Sequence, residues 1–250
     1  MNNYFKKVKN IILSRYYYCM ELIFPSSIIE GKKIPIIINN FNRLSSLDNL
    51  IKALEKRGYQ NIYIIDNKST YPPLLEYYNT CPYKIFMLEK NLGFKALWKS
   101  GLSKKICNDY YIYTDSDVIP IDECPNDFID YMFKLLKKYK YARKIGLSLR
   151  IDNLPDHYKL KHKVIEWESK FYKIKNDDGL YLAPIDTTFA LYRPRVGLSR
   201  SRFVEAYRTD FPYQAEHIPW YTDSLNPSDE EVYYVSHCAQ PTAWSKKLKD

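Results

Sequence analysis

The segment Thr114-Asp115-Ser116-Asp117 has the residue types and spacing of a metal site. It directly follows Tyr110-Tyr111-Ile112-Tyr113, an apolar run typical of a buried strand. Two carboxylates at positions i and i+2 of a tight turn can converge on one Mg²⁺ or Mn²⁺, which keeps its other positions for water and phosphate oxygens. Such a cation neutralises a diphosphate and makes it a better leaving group. The competing interpretation is that Asp and Ser only form a turn here.

The glycines are too far apart for the common glycine-based phosphate sites. There are seven, and the closest two, Gly93 and Gly101, are eight positions apart. A G-x-G-x-x-G turn, a G-x-x-x-x-G-K loop and a G-x-S-x-G elbow each need a closer pair. Rossmann dehydrogenases, P-loop NTPases and α/β-hydrolases are therefore disfavoured. A sheet that handles phosphates without such a loop needs a cation instead, which favours the metal interpretation of Asp115 and Asp117.

The net charge of +9 arises from 38 Lys and Arg against 29 Asp and Glu in 250 residues, of which 25 are Tyr. Residues 130–163 hold ten Lys or Arg against three Asp, whereas residues 209–231 hold six acids and no Lys or Arg. A basic excess suits nucleic acid, an anionic membrane or a phosphorylated ligand, and it is also typical of a plain solvated surface. A basic, tyrosine-rich nucleic-acid-binding protein is therefore one alternative function.

Cysteine usage favours a reducing compartment. The five cysteines are widely spaced and form no C-x-x-C pair, so neither a disulfide framework nor a thiolate zinc site is indicated. The apolar stretch of residues 11–24 is interrupted by Arg15 and Glu21 and is too short to span a bilayer. We expect a cytoplasmic protein, with a peripheral membrane contact left open.

Strands and helices alternate in the first half of the chain. This order predicts an α/β fold with a mostly parallel central sheet flanked by helices. Ligands of such sheets bind beyond the carboxyl ends of the strands, where Asp115 and Asp117 lie. The predicted strands are residues 34–38, 61–65, 84–88, 110–113, 145–149 and 188–192, and the predicted helices are residues 46–56, 73–78, 95–103, 128–138 and 161–173.

A further helix is predicted over residues 3–23. Apolar residues recur there at steps of three and four, with Lys and Arg between them. We expect this apolar stripe to pack on the protein's own domain, while the basic character leaves a membrane-surface contact open. The stripe consists of Phe5, Val8, Ile12, Tyr16, Cys19 and Ile23.

Four segments stand in a characteristic order: IPIIINNFNR (34–43), IIDNKST (64–70), NLGF (91–94) and YTDSD (113–117). Over about residues 33–120 they resemble the nucleotide-sugar-binding half of GT-A glycosyltransferases, most closely the family 2-like group. The later segments IDTTFALYR (185–193) and HIPWY (217–221) resemble blocks of bacterial and viral members.

The resemblance implies a GT-A fold, a nucleotide-sugar donor, and Mn²⁺ or Mg²⁺ as cofactor. Asp117 corresponds to the direct metal ligand, and Asp115 faces the ribose or the metal. Asp66 corresponds to the carboxylate that accepts from the nucleobase or ribose. The other donor-side positions are Asn40 and Arg43 beside the base, and Asn91 and Lys95 along the diphosphate and sugar. Plainer roles compete with three of these, since Asp66 could simply form a turn, Asn91 could belong to a loop before a helix, and Lys95 could be a solvated charge.

The second half is expected to supply the catalytic base. Inverting transfer needs a carboxylate or His that deprotonates the acceptor hydroxyl as it attacks the anomeric carbon. Asp186 is the leading candidate, with Glu166 and Glu168 in reserve. The competing role of Asp186 is a structural hydrogen bond to the threonines that follow it.

The second half is also expected to complete the metal shell and the sugar site. His217 corresponds to the late His that binds the metal in many GT-A enzymes, and His237 is the alternative. Trp220, Tyr221 and Trp244 are candidates for stacking on a sugar ring, although core packing is the usual role of aromatic residues.

These features predict an N-terminal amphipathic helix in residues 1–30 and a single catalytic domain in residues 31–250. Residues 31–120 would bind the nucleotide sugar and residues 121–250 the acceptor. The expected function is a metal-dependent glycosyltransferase of glycan or polysaccharide synthesis, moving a sugar with inversion from a UDP- or GDP-linked donor to a glycan or glycolipid hydroxyl, with no nucleic-acid partner. A second alternative is a nucleotidyltransferase that makes nucleotide sugars, although such enzymes normally need a glycine-rich N-terminal loop.

Overall fold

The computed structural model of the protein describes residues 2–186, 188–197 and 205–238. The helices are α1 (Asn2–Ile23), α2 (Ser45–Lys56), α3 (Pro72–Tyr78), α4 (Ala96–Lys99), α5 (Ser103–Ile106), α6 (Phe128–Lys138), α7 (Lys161–Glu168) and α8 (Asp229–His237). The strands are β1 (Ile36–Asn40), β2 (Ile62–Asp66), β3 (Lys84–Met87), β4 (Tyr111–Asp115), β5 (Val118–Pro120), β6 (Lys144–Gly146), β7 (Ser148–Leu149), β8 (Tyr181–Leu182), β9 (Ala190–Tyr192), β10 (Ala206–Arg208) and β11 (Gln214–His217).

The central sheet has the strand order β3-β2-β1-β4-β9-β6-β10-β8. The four strands predicted from the first half, β1 to β4, are parallel, whereas β9 runs antiparallel to both of its neighbours. The predicted α/β fold with a mostly parallel sheet is confirmed. A small second sheet, β5-β11-β7, pairs β5, at the end of the first half of the chain, with two strands of the second half.

Alternation along the parallel strands divides the interior into two cores. Ile36 and Ile38 belong to the larger core, which α2 and α6 cover, and Ile37 belongs to the smaller one on the other face. Both faces of β1 are covered, which explains why its first three residues are all Ile. The same alternation sends Asn39 to the face of Ile37 and the next residue to the opposite face.

Several predicted elements are divided in the structure. Residues 145–149 do not form one strand, because β6 joins the central sheet and β7 joins the small one. The predicted helix over residues 95–103 is interrupted at Gly101, whose φ of +80° is left-handed and accessible to glycine without strain. The helix predicted over residues 161–173 ends at Glu168 and continues as a 3₁₀ turn over Ser169–Tyr172.

The N-terminal helix forms as predicted but faces the other way. Phe5, Ile12, Tyr16 and Ile23, which were expected to pack on the domain, are more than half exposed. The domain side carries Glu21 instead, which is buried. None of the helices in the described ranges is long and apolar enough to cross a membrane.

Candidate active site

A cavity of about 570 Å³ opens beyond the carboxyl ends of β1, β2 and β4. This is where a parallel sheet is expected to bind a ligand. Six of the predicted site residues line it: Arg43, Asn91, Lys95, Asp115, Asp117 and His217. The other lining residues are Asn39, Phe41, Asn67, Leu92, Gly93, Phe94, Lys99, Ser116, Tyr234 and Cys238.

Two asparagines that were not predicted connect the cavity wall. Asn39 Nδ2 donates to Asp115 Oδ1 at 3.0 Å, and Asn67 Nδ2 donates to Asn39 Oδ1 at 2.6 Å. Asn67 Oδ1 in turn accepts from the Leu92 amide at 3.1 Å. These bonds run from β4 across β1 and β2 to the loop after β3. The first carboxylate of the D-x-D segment and the 91–95 loop are therefore held in one arrangement.

Asn40 and Asp66, predicted to contact the base and ribose, lie outside the cavity lining. Asn40 points to the face opposite Asn39, where its Nδ2 donates to the Tyr78 hydroxyl at 2.9 Å. That hydroxyl donates to Asp66 Oδ2 at 2.9 Å, and the Ser69 amide donates to Asp66 Oδ1 at 2.8 Å. Asp66 is fully buried, and its two oxygens bond the loop at Ser69 and the Tyr78 hydroxyl of α3.

The Tyr78 hydroxyl is fixed as a donor by its surroundings. Burial, together with the Asp66 carboxylate, raises the pKa of Tyr78 well above its usual range. The hydroxyl therefore keeps its proton, and the Asp66–Tyr78–Asn40 contacts support the cavity from behind.

The small sheet places His217 beside Asp117. β11 runs antiparallel to β5 with His217 opposite Val118, and the Ile218 amide donates to the Asp117 carbonyl at 2.9 Å. His217 Nε2 lies 3.7 Å from Asp117 Oδ2. Within the described residues, Asp117 Oδ1 and His217 Nδ1 are buried without a hydrogen-bond partner. Burial lowers the pKa of His217, although the charge of Asp117 opposes this shift. The lowered pKa favours the neutral imidazole, which is the form that binds a metal.

The predicted three-ligand metal shell is not assembled. The described part of the chain contains no group of three His, Cys, Asp or Glu side chains arranged to hold an ion. Asp115 lines the same cavity, but its Oδ1 is bonded to Asn39. The structure thus brings together Asp117 and His217, with Asp115 nearby in the wall.

Arg43 lines the cavity but is already neutralised. Its guanidinium pairs with Glu231 of α8 and lies 3.8 Å from the centre of the Tyr234 ring. Burial lowers the pKa of Arg43, but the bonded Glu231 more than compensates, so the pKa lies above its ordinary value. Glu230 fixes the same helix by accepting from the Ser45 amide at 2.9 Å. α8 was not predicted. The spacing of Ser228 and Glu231 is that of a capping box and is a local signal for the start of a helix, but no local signal places that helix at the cavity.

The 91–95 loop contributes a cationic edge. Asn91 Oδ1 accepts from the Gly93 amide at 2.8 Å, and Gly93 has a φ of +64° that glycine adopts freely. This turn presents Lys95 to the cavity, with its Nζ 5.3 Å from the centre of the Phe94 ring. Lys99, one turn further on, lines the same edge.

The predicted base and its reserves do not line the cavity. Asp186 is partly buried, and its charge contributes to the raised pKa of Glu168, which burial mainly causes. Glu168 is buried and pairs with Arg208 at 2.8 Å, whereas Glu166 is an exposed helix residue. The buried carboxylate is therefore committed to an ion pair.

The aromatic candidates also lie away from the cavity surface. Trp220 is buried and packs edge-on against His217, with ring centres 4.7 Å apart, so it supports the imidazole and does not present a face to a sugar. The Tyr221 hydroxyl bonds Asn153 at 2.7 Å. His237 stacks on Tyr233 on the surface. Trp244 lies outside the described residues.

Comparison with known proteins identifies the family. No curated protein matches the chain. A solved structure of 4-diphosphocytidyl-2C-methyl-D-erythritol synthase from Anaerococcus prevotii DSM 20548 covers 74% of this chain and 92% of its own, with 10% identity and a TM-score of 0.40, a likeness too weak to carry an inference. The family model for glycosyl transferase family 2 matches residues 36–196, which include β1 to β4 and the D-x-D segment. With well over half of its length matched, the chain belongs to glycosyl transferase family 2.

Proposed function

We propose that this protein is a metal-dependent glycosyltransferase that moves a sugar from a nucleoside diphosphate to an acceptor hydroxyl with inversion. The observation that carries the proposal is the pair of unmatched buried atoms, Asp117 Oδ1 and His217 Nδ1, on adjacent side chains in the cavity. A carboxylate oxygen and an imidazole nitrogen left without a hydrogen-bond partner are expensive in a protein interior unless a ligand supplies the missing contact.

These residues fit a divalent cation that the donor helps to hold. Mg²⁺ is commonly bound through one or two carboxylates together with substrate phosphates, and it needs no complete protein cage. Asp117 and His217 would hold the ion, and Asp115 would reach it directly or through water. When bound, the cation would neutralise the diphosphate of the leaving group.

The cavity offers separate surfaces for the parts of a nucleotide sugar. Lys95 and Lys99 line the cavity and are cations suited to the diphosphate. Arg43 is less suited, because its charge is already paired with Glu231. The Phe41 and Phe94 side chains line the cavity and offer apolar contact area for a base. Titration with both nucleotide sugars distinguishes a UDP-linked from a GDP-linked donor.

Transfer requires a proton acceptor near the anomeric carbon. The acceptor oxygen forms the new bond to that carbon as its proton passes to a base, and the diphosphate departs with the electrons of the broken carbon–oxygen bond. Asp186 stays our candidate base. Because it precedes β9 and does not line the cavity, the acceptor hydroxyl would have to lie between the cavity and β9. The acceptor half is proposed as residues 121–250, with a glycan or glycolipid as the acceptor.

Isothermal titration with UDP- and GDP-sugars, with and without Mn²⁺, tests the proposal. We expect one donor class to bind more tightly with Mn²⁺, and Asp117→Asn to abolish this metal dependence. Asp122→Asn is the matched control, because it makes the same change at an exposed carboxylate outside the cavity. If no nucleotide sugar binds, or if Asp117→Asn transfers sugar normally, the proposal is wrong.

The same preparations separate the alternatives. Salt-dependent DNA or RNA binding without nucleotide-sugar binding would favour the nucleic-acid-binding alternative. Formation of a nucleotide sugar from a nucleoside triphosphate and a sugar phosphate would favour the nucleotidyltransferase.

A further inference from the structure

The N-terminal helix α1 packs on its domain through polar contacts. Arg143 Nε donates to Ser14 Oγ at 3.0 Å, and another nitrogen of the same guanidinium donates to the Asn10 carbonyl at 2.6 Å. Further along the helix, Glu21 pairs with the buried Arg193. These contacts fix which side of the helix faces inward. The apolar side must then face outward.

We define the outer stripe as the exposed apolar side chains of α1. Phe5, Ile12, Tyr16 and Ile23 recur at steps of seven, four and seven, so they share one line along the helix. Their neighbours enlarge the surface, and Phe24 extends it just beyond the last turn. An exposed apolar surface of this kind on a folded domain marks a contact with a partner or membrane. The stripe comprises Tyr4, Phe5, Ile11, Ile12, Tyr16, Leu22 and Ile23.

The charges around the stripe have one sign. Lys6, Lys9 and Arg15 lie beside the stripe and are exposed. Residues 2–23 contain one acidic residue, Glu21, which is buried and paired with Arg193 and Lys137. An apolar face bordered by cations alone is complementary to a bilayer that contains anionic lipids. Two copies joined through this face would bring two sets of cations together, which opposes self-association.

We propose that α1 is an in-plane anchor on anionic membranes, with the outer stripe inserted at the boundary between headgroups and acyl chains and with Lys6, Lys9 and Arg15 on lipid phosphates. At 22 residues the helix extends about 33 Å and lies along the surface. The anchor needs neither donor nor metal, so it goes beyond the proposed transfer reaction and stands or falls separately from it.

Vesicle co-sedimentation of the full chain tests the anchor. The probes are phosphatidylcholine vesicles and vesicles of equal parts phosphatidylcholine and phosphatidylglycerol. We expect binding to the anionic vesicles that weakens with added salt, and far weaker binding to the neutral ones. The double variant Ile12→Glu, Ile23→Glu should lower the partition coefficient about a hundredfold, at about tenfold for each buried apolar side chain lost.

Ile174 offers a matched control outside α1. It is 63% exposed, against 61% for Ile12 and 65% for Ile23. Ile174→Glu should leave vesicle binding unchanged. The second variant, Lys6→Gln with Lys9→Gln, removes only exposed charge and should reduce binding to anionic vesicles several-fold.

Three results would overturn the anchor. The first is wild-type protein that stays in the supernatant with anionic vesicles. The second is equal vesicle binding by the double variant and by Ile174→Glu. The third is a dimer in sedimentation velocity that the double variant dissociates while vesicles remain unbound, which would assign the stripe to a second copy of the chain.

Discussion

Glu21 holds α1 on the domain, and its replacement by Gln should weaken folding measurably. The carboxylate pairs with the buried Arg193 and with Lys137 at 2.8 Å, and it accepts from the Tyr110 hydroxyl. Removing one partner of a buried ion pair costs about 3–5 kcal/mol, because the other charge is left uncompensated. Arg193 keeps three backbone carbonyl acceptors, from Leu136, Tyr139 and Ala142. We therefore expect a loss of about 2–3 kcal/mol in the free energy of unfolding.

Urea and thermal unfolding would measure this loss. For a chain of this size, about 2–3 kcal/mol corresponds to a fall in Tm of about 4–12 °C. Glu30→Gln is the matched control, because Glu30 forms an exposed pair with Lys33 at 3.4 Å and should contribute under about 0.5 kcal/mol. A Glu21→Gln variant as stable as the control would refute the view that this buried pair docks the helix.

The same carboxylate makes the stability of the fold depend on pH. Burial acts to raise the pKa of Glu21, but its bonds to Lys137 and Tyr110 and the charge of Arg193 outweigh it and lower the pKa below 4.5. A group with a depressed folded pKa stabilises the fold above its unfolded pKa, and the stabilisation is lost as pH falls through the folded value. Wild-type protein should therefore lose more stability than Glu21→Gln when the pH is lowered from neutral to below 4.5. If the free energy of unfolding changed with pH equally in the two proteins, Glu21 would not be the source of this pH dependence.

Two further predictions concern the sheet and the cavity wall. Gly146→Ala should cost about 1–3 kcal/mol in unfolding free energy, because the new Cβ would lie 2.9 Å from the Phe189 carbonyl oxygen. Gly197→Ala, whose Cβ would meet nothing closer than 3.9 Å, is its control, and equal unfolding midpoints would contradict the close packing. Asn39→Ala should lower stability by about 1–2 kcal/mol and donor affinity about tenfold, because Asp115 loses the amide that holds it. Titration calorimetry against Asn61→Ala, which removes only an exposed bond to the Lys33 carbonyl, checks this, and unchanged donor affinity would show that the network does not position the site.

Local sequence signals were sufficient for the four parallel strands of the first half. Apolar runs such as Ile36-Ile37-Ile38 are buried on both faces of a parallel sheet, so their position predicts strands without knowledge of the rest of the chain. Because ligands meet such sheets at the carboxyl ends, the positions of Asp115 and Asp117 in the cavity were also predictable.

The alternation of side chains along β1 carries a further signal, which distinguishes its two asparagines. Counting by twos from Ile37 reaches Asn39, and counting from Ile38 reaches Asn40. The first asparagine therefore faces the cavity and the second faces Tyr78. The period of two thus separates a wall residue of the site from a supporting one, although both asparagines are polar and adjacent in the chain.

The sequence by itself determined the parallel strands β1 to β4, the carboxylates at the end of β4, and the presence of an amphipathic helix, because all three are encoded in short segments of the chain. Only the tertiary structure decided that Glu231 closes on Arg43, because packing between distant segments joins this pair. It also brings His217 beside Asp117, as the family resemblance implied but no local pattern could show. It also decided the orientation of α1. Apolar periodicity identifies the apolar side of a helix, but the side that faces inward was set by Arg143 and Arg193, two buried cations that bond polar atoms of α1.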